Sequence, residues 1–584
     1  MDDFRNLIHG YEIPTERYSD QPYIVIADDG TWVCTMTTGR GVEGEHGQHI
    51  IIVRSKDQGK TWGHVIPLES PDDPESSYAV LMKTPFGRIY CFYNYNLDDT
   101  RALIADEPEA FSHSGGVVTR VDSQGHFMFR YSDDNGATWS SKRYEIPVRE
   151  TDIDRRNVYG GKIKFFWNVG RAFTHDGCGY VPLHKVGGFG HGFFTSSEGV
   201  LFKSDNICHE RDASALHWEM LPDGEIGLRA PDGGGPISEE HSFSVLSDGS
   251  FFCVYRTIDG HPTVAYSRDG GHTWPKREYM RYADGRLVYH PRAANFAWRA
   301  SNGKFLYWYH NNCNSWYDER NPVWVLAGEE ADSPEGRIIH WSQPEILLYD
   351  DDSYIRMSYP DFVEDGGRYF VTETQKDIAR THEIPAAFLE KLWSQPSLKT
   401  HCTQNPIAWV QGPGEMKMPP LPPFRIRDND DPAYHGKDMR AGFTLEFWLK
   451  ANAPAGVLLD SRSPRGEGIL VEKTPDNRIR IWLSDGRTEN TWACDEGALA
   501  AGQDNHVGII VDGGPKIISY VINGKFNDGD GKRPFGFGRF SADMHDVQGA
   551  DMAKVGDGVK VLKVYSEALM VTDLIGNYRA DMEA

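Results

Sequence analysis

Short apolar runs alternate with polar, turn-forming residues along most of the chain, which is the pattern of β-strands joined by tight turns. Two of these runs, IIIVR over residues 50–54 and TVAY over 263–266, each lead into the eight-residue pattern S-x-D-x-G-x-T-W. The pattern occurs three times, beginning at Ser55, Ser132 and Ser267. Ser and Asp can bond nearby backbone N–H groups, Gly accepts positive φ, and Trp packs the next strand. We therefore interpret each copy as a structural hairpin turn.

The spacing of these turns predicts a repeated β architecture. Their starting positions are separated by roughly one and then two units of about 67 residues, so a unit with a degenerate turn is expected in between. The segment from Ser204 to Trp218 has that place. Residues 1–395 hold about six such units, and radial repetition of four-stranded sheets limits exposed sheet edges. The predicted fold class is all-β, with a six-bladed β-propeller over residues 1–395.

The chain changes character after Glu383. The run IPAAFLEKLW is typical of a short helix, and the Pro-rich stretch MPPLPPF lies in a predicted linker or strap over residues 396–440. From Gly442 onward alternating runs return, among them FTLEFWLKA, RIRIWLSDG and VKVLKVYSEAL. This alternation predicts a β-sandwich over residues 441–584.

Composition narrows the class of partner. The chain has 61 basic and 85 acidic residues, and its net charge of −24 argues against nucleic acid. No apolar stretch is long enough to span a bilayer, and the first residues lack the pattern of a signal peptide, so we expect a soluble protein. Its eight cysteines are scattered singly, which favours reduced thiols in a cytoplasmic protein over a zinc site. A secreted protein whose signal peptide is absent from this sequence stays open, as does the oligomeric state.

The three repeats resemble the Asp boxes of the sialidase superfamily, and they recur at blade spacing over about two-thirds of the chain. The late strands, including VKVLKVY, resemble a concanavalin-like or laminin-G-like jelly roll. The resemblance implies a carbohydrate partner gripped in a funnel at the propeller axis. It implies no cofactor and leaves a structural Ca²⁺ ion open. Because Asp boxes also occur in propellers with other activities, function depends on the site residues.

Sialidase-like enzymes use an acid/base carboxylate from the first blade, a tyrosine nucleophile paired with a glutamate, and three arginines that grip the substrate carboxylate. Where the family has Arg-Ile-Pro, this chain has Asp20-Gln21-Pro22, so one arginine is missing. Asp20 is itself a candidate, because an acidic group before a buried strand needs a partner or a role. The resemblance places the acid/base at Glu45, with His46 and Glu43 beside it.

Later blades supply the remaining candidates. The segment around Tyr359 resembles the family segment that carries the nucleophile, and Glu240 is preferred over its neighbour Glu239 as the base that activates it. Arg256 and Arg320 resemble the second and third family arginines, and Arg292 is a rival for the third. The predicted catalytic residues are Tyr359, Glu240, Glu45 and Asp20. The predicted substrate-binding residues are Arg256, Arg320, Arg292, Glu373, His46, His241 and His310.

With one arginine replaced by an aspartate, a sialic acid carboxylate would meet one cation fewer and one anion more. The sequence therefore favours an exo-acting glycoside hydrolase whose sugar is not sialic acid but a uronic or deoxy sugar. A polysaccharide lyase is the first alternative, because Arg292 and the histidines at 241, 290 and 310 fall in inner-strand contexts. A non-catalytic carbohydrate-binding protein is the second.

Overall fold

The computed structural model describes residues 3–427 and 436–583. Antiparallel sheets make up nearly all of its regular structure. Six sheets follow one another in chain order, and a seven-stranded and a six-stranded sheet come after them. The predicted fold class, an all-β propeller followed by a β-sandwich, is confirmed. None of the described helices combines the length and the apolar character that a membrane span requires.

The first six sheets are the blades of the propeller, numbered here in chain order. Blades one to three consist of strands Tyr18–Ile26, Trp32–Gly39, His49–Ser55 and Ile66–Pro67; Ser76–Lys83, Ile89–Tyr95, His126–Ser132 and Tyr144–Glu145; and Phe165–Trp167, Phe173–His175, Cys178–Val186, Ser197–Ser204 and Glu219–Leu221. Blades four to six consist of Glu239–Val245, Phe251–Arg256, Thr263–Ser267 and Arg277–Tyr279; Phe296–Arg299, Phe305–Tyr309, Val323–Ser333, Gly336–Trp341 and Glu345–Leu348; and Phe362–Asp365, Arg368–Thr374, Ala379–Ile384 and Tyr11–Ile13.

The ring is closed by the start of the chain. Strand Tyr11–Ile13 pairs with Ala379–Ile384 and so completes blade six with residues from the other end of the propeller. Blade one in turn packs against both blade two and blade six. Closure of this kind leaves the inner strands of all six blades facing a common axis.

The repeated turns have the structural role that their residues predict. In the first copy Ser55 Oγ accepts from the backbone N–H of Gly59 at 2.9 Å, and Asp57 accepts from the N–H of Thr61 at 2.9 Å. The copies at Ser132 and Ser267 repeat these bonds. Each turn therefore satisfies its own backbone donors at the rim of a blade.

The last two sheets form the sandwich, with a core between them that includes Leu445, Phe447, Ile481 and Val507. Its strands are Ala408–Gln411, Phe443–Leu449, Asn505–Asp512, Ile517–Ile522, Lys525–Phe526, Gly538–Arg539 and Val559–Tyr565 in one sheet, and Gly414–Lys417, Gly456–Asp460, Gly468–Lys473, Ile479–Ser484, Glu489–Ala493 and Met552–Val555 in the other.

Three minor hairpins and a few short helices complete the described structure. The hairpins are Leu103–Ile104 with Val117–Val118, Phe189–Gly190 with Phe193–Phe194, and Arg425–Ile426 with Lys437–Asp438. The α-helices are Asp152–Arg155, Ala386–Ser394 and Val571–Glu583, and the 3₁₀ helices are Leu7–His9, Pro108–Ser114 and Ala213–Ala215.

The segment predicted as a linker, 396–440, is not wholly a connection. Its strand Ala408–Gln411 pairs with Val559–Tyr565, and Gly414–Lys417 pairs with Met552–Val555. These residues are therefore outer strands of the sandwich, with partners late in the chain. The Pro-rich residues follow them and carry Leu421 and Phe424 into the sandwich core.

Propeller and sandwich share an apolar interface. The ring of Trp324 in blade five lies 5.3 Å from that of Phe526 and 5.4 Å from that of Phe537, both in the sandwich part. Glu345, also in blade five, accepts from the N–H groups of Val571 at 3.1 Å and Thr572 at 2.7 Å, at the start of the last helix. The two parts are thus packed together through buried apolar and polar contacts.

Candidate active site

A cavity of about 270 Å³ opens where residues of all six blades meet. Its wall combines aromatic rings with an excess of positive charge, which suits a ligand that is partly apolar and partly anionic. The charged lining residues are Glu43, Arg120, Arg256, Arg320, Arg356 and Lys376. The aromatic ones are Tyr78, Trp167, Phe193, Phe194, Trp316, Tyr317 and Tyr359.

Irregular inner strands aim side chains at this axis. The register of the inner strand shifts in blade one, blade two and blade four. Each shift contains a non-glycine residue with left-handed backbone: Gln21 at φ 55°, Tyr78 at φ 59° and Glu240 at φ 58°. An extra residue in a strand turns its neighbours out of the regular alternation. The bulges in blades two and four thereby bring Tyr78 into the cavity wall and Glu240 into contact with Tyr359.

Tyr359 and Glu240 meet beside the cavity. The Tyr359 hydroxyl donates to Glu240 Oε1 at 2.7 Å, and both side chains are buried. Tyr359 also has left-handed backbone, at φ 49°, so both partners are held in a strained conformation. Burial raises the pKa of Glu240, and burial together with that carboxylate raises the pKa of Tyr359 well above its ordinary value. The pair can pass a proton from the phenol to the carboxylate.

Two arginines fix the glutamates of this site. Arg256 contacts Glu240 Oε2 at 2.7 Å and Glu239 Oε2 at 2.8 Å. Arg292 contacts the remaining oxygen, Glu239 Oε1, at 2.6 Å. Glu240, rather than Glu239, is thus the glutamate that contacts Tyr359. Arg256 lines the cavity, whereas Arg292 lies behind it and holds Glu239 in place.

Arg320 is a buried cation without an acidic partner among the described residues. Its guanidinium donates to Ser358 Oγ and, at 2.8 Å, to the Tyr317 carbonyl. Burial and the nearby Arg256 lower its pKa below the ordinary value, although Tyr359 opposes this. A guanidinium in this state is stabilised by an anion that enters the cavity.

The first-blade candidates lie differently from the prediction. Glu45 is exposed and does not line the cavity, and His46 is an exposed side chain that pairs with Glu75 at 2.7 Å. Glu43 faces the cavity instead, 2.9 Å from Arg120 and 3.1 Å from Lys376. Burial alone would raise the pKa of Glu43, but these two cations lower it to about 2. Of the two glutamates in the turn at 42–48, only Glu43 faces the cavity. The residue pattern of the turn does not indicate which of the two faces inward.

Asp20 is fully buried and lies behind the cavity rather than in its wall. Its Oδ2 accepts from the Tyr18 hydroxyl at 2.6 Å and from Lys376 Nζ at 2.7 Å. Burial raises its pKa, and Lys376 opposes this rise. Asp20 therefore contacts the site through Lys376.

Three further candidates are buried away from the cavity. Glu373 pairs with His382 at 3.3 Å, and His241 stacks on Tyr255 with ring centroids 4.2 Å apart. The third, His310, is fully buried 6.0 Å from the ring of His290. Burial lowers the pKa of His241 and of His290 to about 3 and that of His310 well below its ordinary value, so these three histidines are neutral packing residues.

Comparison with known protein families matches one of the repeated turns. Residues 130–141 match the BNR/Asp-box repeat. That match covers the second of the three turns described above.

Solved structures that resemble the chain are distant. An intramolecular trans-sialidase from Ruminococcus gnavus shares 14% identity at a TM-score of 0.45, over 66% of this chain and 99% of its own. A sialidase from Trypanosoma rangeli shares 12% at 0.42, over 97% and 94%. A protein of unknown function from Dyadobacter fermentans shares 16% at 0.43, over 64% and 96%.

Several residues of the cavity were missed by sequence reasoning. Arg120, Arg356 and Lys376 lie in loops, where a lone cation normally indicates a solvated surface. The aromatic residues Trp316 and Tyr317 lie on a loop that has no strand pattern. The Trp-Tyr pair beside Arg320 was the one available signal, because a loop with adjacent large aromatics is unusual for a solvated surface.

The aromatic loop is supported by the sandwich. At its base the N–H of Cys313 donates to the Pro534 carbonyl at 3.1 Å, and Asn312 pairs with Phe535 as an isolated bridge. Residues 312–320 thus connect sandwich residues to the cavity wall. The described residues contain no group of three or more His, Cys, Asp or Glu side chains placed to hold a metal ion.

Proposed function

We propose that this chain is a glycoside hydrolase that removes a terminal non-sialic sugar through a tyrosine nucleophile. The observation that carries the proposal is the 2.7 Å contact between Tyr359 and Glu240 beside a cavity that is rich in arginine. A phenol is a weak nucleophile until a base removes its proton, and Glu240 is within reach of that proton.

The chemistry follows from the positions of three groups. Glu240 accepts the proton of Tyr359 as the phenolic oxygen attacks the anomeric carbon, and the bond to the leaving oxygen breaks. Glu43, rather than Glu45, is placed to give that oxygen a proton. Glu43 then takes a proton from water as the water oxygen attacks the anomeric carbon and the bond to Tyr359 breaks. Glu240 returns its proton to the Tyr359 oxygen, and the sugar is released with its configuration retained.

The charge state of Glu43 makes this route depend on an anionic ligand. In the free chain Arg120 and Lys376 hold the pKa of Glu43 at about 2 despite burial, so it is ionised at neutral pH. An anionic sugar beside these cations offsets their effect and raises the pKa toward the range of a general acid. A tyrosine nucleophile also suits such a substrate, because it is neutral before the reaction.

The size and lining of the cavity support action on a chain end. At about 270 Å³ it falls at the small end of ligand pockets, which fits one sugar ring better than a length of polymer. The histidines that suggested a lyase, at 241, 290 and 310, are buried and do not line it. This placement favours hydrolysis over elimination.

A panel of 4-nitrophenyl glycosides tests the proposal. It contains both anomers of uronic, deoxy, neutral and sialic sugars, and released 4-nitrophenolate is measured by absorbance. Uronate polysaccharides are assayed in parallel for an unsaturated product that absorbs in the ultraviolet. Release from a uronic or deoxy glycoside supports the proposal. An unsaturated product without glycoside cleavage identifies a lyase, and sugar binding without either reaction identifies a binding protein.

A further inference from the structure

The position where the resemblance leads one to expect an arginine holds a buried anion with a specific partner. Asp20 follows Ser19 in the inner strand of blade one, where the register shifts. Its Oδ2 contacts the Tyr18 hydroxyl and Lys376 Nζ, and its Oδ1 has no hydrogen-bond partner. An unpaired buried carboxylate oxygen is costly, so the compensation for burying Asp20 falls on the contacts of Oδ2 with Tyr18 and Lys376.

Lys376 brings a cation to the cavity from the opposite end of the propeller sequence. It follows strand Arg368–Thr374 of blade six, and its backbone is left-handed, at φ 77°. Its ammonium lies 3.1 Å from Glu43 Oε1 and 4.5 Å from the centroid of the Tyr359 ring. The side chain is 28% exposed and lines the cavity. Lys376 thus contacts Asp20 on its buried side, while its exposed side faces the space beside the nucleophile.

We propose that Lys376 contacts a carboxylate of the bound sugar in place of the missing arginine, and that Asp20 is a positioning residue that holds Lys376 over Tyr359. This inference rests on the proposed function and narrows its substrate class to carboxylated sugars.

The balance of charge supports this assignment. Five cations line the cavity, and four of them pair with carboxylates: Arg120 with Glu43 and Asp122, Arg256 with Glu239 and Glu240, Arg356 with Asp318, and Lys376 with Glu43 and Asp20. One of these cations, Arg320, has no acidic partner among the residues that the structure describes. A deoxy or neutral sugar would leave Arg320 uncompensated, whereas a carboxylate in the cavity neutralises it.

A lysine also changes which carboxylates fit. An ammonium is a compact point charge, whereas a guanidinium binds a carboxylate through two parallel hydrogen bonds. The Asp20–Lys376 pair therefore tolerates a carboxylate in more orientations than an arginine at position 20 would.

Direct binding to the full chain tests the inference without assuming turnover. Dissociation constants for glucuronate, galacturonate and N-acetylneuraminate are measured by saturation-transfer NMR titration and compared with those for glucose and galactose. The wild type should bind at least one carboxylated sugar roughly tenfold more tightly than the neutral sugars. Lys376→Met should remove that preference, measured as the ratio of the dissociation constants for carboxylated and neutral sugars within the same variant, and Lys376→Gln repeats the test if the first variant folds poorly.

The role of Asp20 is tested by non-additivity. Asp20→Asn should weaken carboxylate binding severalfold, and the double variant with Lys376→Met should bind no worse than Lys376→Met alone. Lys376→Arg should restore part of the preference. Lys563→Met is the matched control, because Lys563 also lies about 3.2 Å from a buried glutamate, in the sandwich. It should leave sugar binding unchanged.

Two results would overturn the inference: a wild type with no preference for carboxylated sugars, or a folded Lys376→Met variant that keeps it. Failure of the proposed function is a separate result. If no glycoside is cleaved but the preference for carboxylated sugars depends on Lys376, the proposed hydrolysis is wrong and the carboxylate-binding role of Lys376 stands. If a glycoside is cleaved and the preference survives Lys376→Met, hydrolysis stands and the role of Lys376 is wrong.

Discussion

Two buried tyrosine–glutamate pairs, one in the propeller and one in the sandwich, share almost the same contact. Tyr359 donates to Glu240 at 2.7 Å, and Tyr565 donates to Glu446 at 2.7 Å. Both glutamates are buried. By distance and burial alone the two pairs are equivalent.

Their surroundings differ. Glu446 also accepts from Asn577 at 3.0 Å and lies 3.0 Å from His506 and 3.2 Å from Lys563, so its two oxygens are fully occupied. Glu240 instead lies at a strand bulge with left-handed backbone.

The pKa values of the two glutamates also differ, in the direction that their surroundings suggest. Burial opposes ionisation of both glutamates, but the His506 contact and Lys563 lower the pKa of Glu446 to about 2. For Glu240 burial dominates and the pKa is raised. A tyrosine–glutamate contact therefore indicates a reactive site only where strain, an open cavity and incomplete compensation accompany it. Where neighbouring groups lower the pKa of the glutamate instead, as at Glu446, the same contact is structural.

The largest expected contrast is in turnover. Tyr359→Phe removes the attacking oxygen and should lower kcat on the glycoside identified by the screen by about 10³-fold or more. Tyr565→Phe makes the same chemical change in the sandwich and should leave kcat within about twofold while lowering stability by about 1 kcal/mol. Steady-state kinetics and thermal unfolding of both variants measure this. Near-normal turnover by Tyr359→Phe would contradict the tyrosine mechanism.

The sandwich pair should contribute measurably to the response of stability to acid. Because the folded pKa of Glu446 is about 2 against an ordinary 4.5, its contribution is complete above pH 4.5 and is lost as pH falls toward 2. Its size is about 3 kcal/mol. Denaturant unfolding at pH 6 and pH 3 should show a loss of about 2 kcal/mol from this group in the wild type and a smaller one in Glu446→Gln. Equal losses in both proteins would count against the assignment.

The repeated turns are a third polar environment. Their polar groups are hydrogen-bonded within each turn, and they lie far from the cavity. Trp139, which ends the second turn, is half-buried against the core of blade two. Trp139→Ala should therefore lower stability by about 2 kcal/mol, less than a fully buried tryptophan. Turnover per folded molecule should be unchanged. An inactive but fully folded variant would place these turns closer to the chemistry than the structure does.

The smallest expected effect is on the stability of the propeller pair. Glu240→Gln removes a buried charge whose raised pKa reflects burial and the adjacent Glu239, while Arg256 keeps its contact with Glu239. We expect unfolding free energy to change by less than about 1 kcal/mol in either direction, although activity is lost. A loss of several kcal/mol would show that the contact of Glu240 with Tyr359 is structural, like that of Glu446 with Tyr565.

The blades and the sandwich were predictable because their signals are local. The turn at Ser55 is closed by bonds between residues four apart, and the same bonds recur at Ser132 and Ser267. Strand alternation in runs such as FTLEFWLKA predicts which face is buried without knowledge of the partner strand. The limit appears at Ala408–Gln411, whose partner strand starts at Val559. The residues near Ala408–Gln411 do not indicate which strand they pair with.

The sequence by itself determined the all-β class, the repeated turns and the candidates Tyr359, Glu240, Arg256 and Arg320. Only the tertiary structure decided that Glu43, rather than Glu45, faces the cavity. Only it brought Lys376 to Asp20. The physical reason is that a shift of one residue at a strand bulge or a loop end changes which of two neighbouring side chains points inward. Ring closure, in turn, brings together positions that are far apart in sequence. Neither effect depends on residue type within a short window.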